Sequence, residues 1–222
     1  MLSKDSLQFI DDLTANNNRD WFLDNKKCYE KFKADYQNLV SQFLDEMKPL
    51  DQSLELLEIK NCTFRINRDI RFSKDKTPYK NHLGIWMSSG IKGANRAGYY
   101  IHLGRKESFI AGGFYSPESD DLKKVRKEIA FFHDDLEEIV TDKSFKKVYG
   151  SLDTSNSLKN APKDYEKDHP AIAFLKLKSF TATQKIDFTD AIKPNFVKET
   201  VAKLILLKPL NDFLNRALTT EA

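Results

Sequence analysis

The apolar positions of this chain change period along its length. Leu7, Ile10 and Leu13 recur at helical spacing within residues 4–14. The polar stretch ANNNRD (15–20) breaks that run, and its asparagines suit the start of a second helix. Trp21, Phe22, Tyr29, Phe32, Tyr36 and the apolar positions up to Met47 then predict one helix, which Pro49 ends. From residue 64 the pattern becomes strand-like. Leu83, Ile85 and Met87 alternate with His82, Gly84, Trp86 and Ser88, and GYYIHLG (98–104) and SFIAGGFY (108–115) read as hairpin strands joined by RKE. SPESDDL (116–122) predicts a helix start, with Ser116 as cap and Pro117 in the first turn. Helical spacing continues to Gly150 with a break near His133.

Residues 151–170 are polar and turn-rich, an ordered loop. LKLKSFTATQKI (175–186) alternates and predicts a late strand that returns to the sheet. Pro194 to Leu218 is helical, with Pro209 expected to kink or divide it. The expected fold is α+β: a central, mostly antiparallel sheet flanked by N-terminal, middle and C-terminal helices. No Gly/Ser linker, repeat or low-complexity tract interrupts the chain, so residues 1–222 are expected to form a single domain.

Length and composition fit that reading. The chain has 222 residues, 40% hydrophobic and 12% aromatic, enough for a sizeable core. MLSKDSLQFI lacks the apolar run of a signal peptide, and LILL (204–207) is far too short to span a bilayer. Two cysteines, Cys28 and Cys62, make no disulfide framework. A cytoplasmic protein with reduced thiols and no membrane partner is expected.

Charge alters the picture more. Residues 60–106 carry eleven basic residues, Lys92 among them, against Asp69 and Asp75, a balance of +9 in a chain whose total is +3. Such asymmetry points to a local anion-attracting surface. Its densest part is FRINRDIRFSKDKTPYK (64–80). Taken as a strand, it places Phe64, Ile66, Arg68, Ile70 and Phe72 on one face, with Arg65, Asn67, Asp69 and Arg71 on the other. A straight strand would drive Arg68 toward the core, where an unpartnered guanidinium costs about as much as the whole margin of stability. Arg68 therefore needs a buried acid, or a bulge that re-aims it.

Two readings of the cluster follow. In one, acids from the flanking helices neutralise the arginines in a structural network. In the other, Arg65, Arg68, Arg71, Lys76 and Lys80 form an anion site, the arginines as forked donors and the lysines as point charges. SKDKTPYK (73–80) reads as a turn, either a solvated tip or a basic loop that closes over a ligand.

Other chemistry is sparse. Nucleotide-loop, zincin, redox-dithiol and serine-hydrolase motifs are all missing from the sequence, and no cofactor or metal is expected. His133-Asp134 matches the dyad of HD-type phosphohydrolases, but the further ligands that chemistry needs are not on neighbouring predicted helices. Asp69, His82 and His169 are the candidate proton-handling residues, and His169 or Asp168 equally suits capping a helix at Pro170. Gly84, Gly112 and Gly113 inside predicted strands call for a close neighbour, a ligand or a packed aromatic such as Trp86 or Tyr100.

Two stretches, FRINRDIRFSKDKTPYKNHLG (64–84) and LKNAPKDYEKDHPAIAFLKLKSF (158–180), resemble an uncharacterised family of bacterial and fungal proteins catalogued as domain of unknown function 2461. FIDDLTANNNRDWFLDNKKCYE (9–30) is similar to that family's opening, with its N-N-N-R-x-W-F core. The likeness runs to about residue 215. It implies one full-length domain and supplies no activity or site residue.

The expected function is therefore binding of, or action on, a phosphorylated or carboxylated small molecule at a basic site on the sheet. One alternative is a nucleic-acid-binding module, with Phe72, Tyr79, Trp86, Tyr99 and Tyr100 stacking bases, against which the acidic flanks weigh. The other is a non-enzymatic scaffold whose charge network is structural, in which Arg68→Met would be tolerated or stabilising.

Overall fold

A computed structural model of the chain describes residues 1–89 and 95–219; Lys92 lies outside the described residues. Four strands, β1 (His82–Ser88), β2 (Gly98–Gly104), β3 (Ser108–Phe114) and β4 (Phe180–Lys185), pair antiparallel in the order β1-β2-β3-β4. They form where the period-two pattern predicts, because one side of each strand is apolar and buried: Leu83, Ile85 and Met87 on β1, Tyr99, Ile101 and Leu103 on β2. The helices are α1 (Lys4–Ala15), α2 (Arg19–Asp24), α3 (Lys26–Met47), α4 (Ile59–Cys62), α5 (Ser119–Phe131), α6 (His133–Thr141), α7 (Lys143–Tyr149), α8 (Ile172–Leu175), α9 (Phe196–Leu204) and α10 (Lys208–Thr219). The fold is α+β. No helix among the described residues is long and apolar enough to cross a membrane.

The chain divides into two compact units, one of Met1–Met87, Tyr100–Ile110 and Lys185–Ala202, the other of Ser88–Tyr99, Ala111–Gln184 and Lys203–Ala222. In the first unit, Asn18 caps α2 by accepting from Trp21 N at 2.9 Å. The single helix expected over Trp21–Met47 is two. Asn25 leaves the helical region (φ −100°, ψ 18°), and its side-chain amide donates to Trp21 O at 2.9 Å, closing α2 before α3 begins.

The strand expected at 64–72 does not form. Thr63 bridges Ile85, but beyond it the chain folds into an irregular hairpin, with Asn67 bridged to Tyr79, Arg68 N bonded to Pro78 O and Lys80 N bonded to Ile66 O. Phe64 and Phe72, placed with the buried face by alternation, are 48% and 96% exposed.

In the second unit, Ser116 does not cap α5. It adopts φ 48° and gives its N–H to Ser179 Oγ, while the helix starts at Ser119 behind Glu118. Only the end of the stretch 175–186 is strand, because α8 occupies its first residue and a turn follows. The buried Glu128 of α5 accepts from Arg216 Nε of α10 at 2.5 Å. The C-terminal helical run divides at a short 3-10 turn, Ile205–Leu207, with Pro209 in the first turn of α10, where a missing N–H is harmless.

Candidate functional site

The hairpin 64–80 is fixed at its base by the N-terminal helices. The Asn17 side chain pairs with the Tyr79 backbone in both directions, Nδ2 donating to Tyr79 O at 2.9 Å and Oδ1 accepting from Tyr79 N at 3.0 Å. Phe22 of α2 stacks on the Tyr79 ring, centroids 4.0 Å apart. The buried Tyr36 of α3 donates its hydroxyl to Gly84 O and accepts from Phe64 N at 3.2 Å, so one phenol ties the start of the hairpin to β1. Burial raises that phenol's pKa.

Within the hairpin most charges are satisfied locally. Arg68 turns back into its own loop: one terminal nitrogen donates to Asp75 Oδ2 at 2.8 Å, to Thr77 O at 2.9 Å and to Thr77 Oγ1, and the other reaches Ser73 Oγ at 3.4 Å. Neither a core acid nor a bulge is needed. The expected neutralising acids from flanking helices are replaced by acids of the loop itself. Arg71 forms a forked pair with Asp69 (2.6 and 3.0 Å) in solvent. Lys76 donates to Ile70 O at 3.0 Å.

Arg65 and Lys80 differ. Among the described residues neither has a carboxylate partner within salt-bridge distance. Lys80 Nζ stands 5.3 Å from the centroid of the Phe64 ring. Burial, and then the charge of Arg65, lower its pKa.

Beside these cations lies the half-open side of β1, β2 and β3, carrying His82, Trp86, Tyr100, His102 and Phe109. His82 stacks on His102 (4.2 Å), which stacks nearly parallel on Phe109 (5.0 Å, 3°), and His102 Nδ1 shares a hydrogen bond with the Tyr100 hydroxyl at 3.2 Å. Gly84 makes this packing possible: a Cβ there would stand 2.7 Å from the Tyr100 hydroxyl. Of the two expected neighbours of Gly84, the aromatic is present. Burial, reinforced by His102, Lys80 and Arg68, pushes the His82 imidazole down to about 4, and burial lowers His102 as well. Both are neutral at pH 7. Two neutral imidazoles next to two cations without a carboxylate partner can hydrogen-bond an anion without adding charge of their own.

The other candidates are already engaged. Asp69 is paired with Arg71. His169, in the second unit, uses Nδ1 to accept from Ala171 N at 3.0 Å and so holds a turn; it caps no helix, because α8 starts at Ile172 behind Ala171 with no side-chain cap. Of the aromatics proposed for stacking, Tyr79 and Tyr99 are buried, whereas Trp86 and Tyr100 are half-exposed. Phe109 was not legible as a site residue, although strand alternation places it on the side opposite Ile110. A cavity of about 640 Å³ beside the β2–β3 turn is bounded by Arg105, Phe188 and Thr189, but Arg105 is committed to Asp11 through a forked pair.

The family model described as conserved hypothetical protein (DUF2461) matches residues 5–213. No curated protein and no solved structure matches the chain. The chain belongs to the DUF2461 family.

Proposed function

We propose that this member of the family binds a phosphorylated or carboxylated small molecule at Arg65 and Lys80, with His82 and His102 alongside. The observation that carries the reading is the pairing pattern. In a hairpin where Arg68, Arg71 and Lys76 find acceptors, Arg65, Lys74 and Lys80 have none among the described residues, and of these Arg65 and Lys80 are neighbours. Bringing two like charges together without an acid is unfavourable, and an anion between them relieves it. The neutral imidazole of His82 adds no further repulsion, and its ring nitrogens can still donate or accept a hydrogen bond. Both cysteines are free thiols, which supports a reducing, cytoplasmic setting.

A thermal-shift panel of sugar phosphates, nucleotides and dicarboxylates tests this. A ligand at a hundred times its dissociation constant adds about 2.7 kcal/mol of stability, a shift of several degrees. Arg65→Ala and Lys80→Ala should each fold with near-native stability and lose most of the shift. No shift from any anion, or shifts unchanged in both variants, sinks the reading.

A further inference from the structure

We infer that the ligand held at Arg65 and Lys80 carries a planar ring attached to its phosphate or carboxylate, as in an aryl phosphate or a nucleotide. This rests on the anion reading above and adds the ring to it. Lys80 stands among aromatic rings. Lys80 Nζ lies over the ring of Phe64, which is 48% exposed. That ring meets Tyr100 edge-on, centroids 6.4 Å apart at 84°. Tyr100 in turn reaches over Gly84 on β1, where an added Cβ would also stand 3.3 Å from Phe64 Cδ2. The two rings therefore occupy the space that a side chain at position 84 would take. Trp86 and Phe109 extend the surface, their centroids 6.4 and 5.8 Å from that of Tyr100. Tyr36 fixes Phe64 to this place through its backbone, so the exposed ring is held in position before anything binds.

A ringless anion would use the cations and leave this aromatic surface wet. A ring-bearing anion uses both, through stacking and removal of apolar area from water. Stacking on aromatic side chains discriminates by about tenfold or more. The unpaired cations at the edge of the surface select among planar ligands for those with a negative group, since an uncharged ring would leave them unpaired.

The test compares matched pairs by calorimetry on the full chain: phenyl phosphate against methyl phosphate, a nucleoside monophosphate against ribose 5-phosphate, and benzoate against acetate. In at least one pair the ring-bearing member should bind about tenfold tighter or better. Phe64→Leu keeps the backbone bond to Tyr36 and alters an exposed side chain, so it should fold. It should shrink that preference to about twofold while the ringless anion binds as before, whereas Lys80→Ala should weaken both members alike. Equal affinity within every pair overturns the ring inference and leaves the anion reading standing. Failure of every anion overturns the anion reading itself. Tight binding of a single-stranded oligonucleotide without measurable binding of any monomer overturns both in favour of a nucleic-acid surface.

Discussion

The two internal stretches that carry the family likeness, 64–80 and 158–180, are both rich in charge, yet they use it differently. In 158–180 the charged side chains are mostly exposed, and the bonds that tie the stretch into the fold are made to its backbone. Leu158 N bonds to Lys176 O at 2.8 Å, Ser157 bridges Leu177, and Arg126 of α5 donates to Leu175 O (2.8 Å) and Leu177 O (3.2 Å). The histidine of this stretch, His169, holds a turn. In 64–80, Arg68 plays a similar part for its own loop, but Lys80 lies over the Phe64 ring, and among the described residues neither it nor Arg65 has a carboxylate within salt-bridge distance. A charged signature is thus weak testimony to function until each charge has been traced to its partner. In the hairpin it is the neighbouring pair Arg65 and Lys80 that supports the proposed site.

The sharpest way to break this contrast is to remove an architectural arginine. Arg126→Met leaves two carbonyls of buried residues without their charged donor. Bonds of this kind are worth roughly 1.5–3 kcal/mol each, so urea denaturation should show a loss of about 3–4 kcal/mol. Arg65→Ala, by contrast, should change stability by less than about 0.5 kcal/mol. Similar losses in the two variants would erase the distinction between built-in and unpaired charge.

How far this was legible in the sequence follows from what alternation can report. β1, β2 and β3 were legible because a half-buried sheet imposes strict alternation, and Leu83, Ile85 and Met87 obey it. The same alternation misled at 64–72. Phe64, Ile66, Ile70 and Phe72 keep the period, but Asp75 bonds to Thr77 N and Asp69 to Arg71 N, and these side-chain bonds turn the backbone into a hairpin with both phenylalanines exposed. The break at Asn25 was hidden because the apolar spacing of α2 continues into α3. The cap assigned to Ser116 failed because its backbone lies at φ 48°, set by a bond to Ser179 that is 63 residues away in sequence. At the site, the cations and His82 were legible by type. Which cations stay unpaired was not, since that depends on how the loop folds onto its own acids. The asparagines of residues 16–18 were legible as helix-capping material, and Asn18 serves so. The role of Asn17, clasping the Tyr79 backbone, needs the contact between two distant stretches.

The contrast extends to imidazoles, with a somewhat smaller effect. His82 has a folded-state pKa of about 4, below its usual value of 6.5. Between those values the unfolded chain takes up a proton that the folded chain refuses. Stability therefore falls as pH drops from about 6.5 to 4, and below that this group contributes no further slope. A full displacement of this size is worth up to about 3 kcal/mol. His102, also lowered by burial, acts in the same direction. His82→Gln should flatten that part of the pH–stability curve, measured by urea melts from pH 7 to 4. Parallel curves for the variant and the parent would mean that His82 ionises freely, and the neutral imidazole would be lost from the proposed anion site.

The smallest effect tests the hairpin itself. Arg68 joins Asp75, Thr77 and Ser73, but its side chain is 25% exposed and that of Asp75 61% exposed, so water can replace much of what is removed. Arg68→Met should therefore cost about 1 kcal/mol, more than Arg71→Met, whose ion pair lies in solvent. If Arg68→Met proves neutral or stabilising, its contacts do not order the loop, and the hairpin depends on its Asn17 and Tyr36 anchors alone. A cost equal to that of Arg126→Met would make the hairpin as architectural as 158–180. The ordering Arg126 over Arg68 over Arg71, read from urea midpoints at unchanged m-value, is the outcome that separates charge used to build the fold from charge available to a ligand.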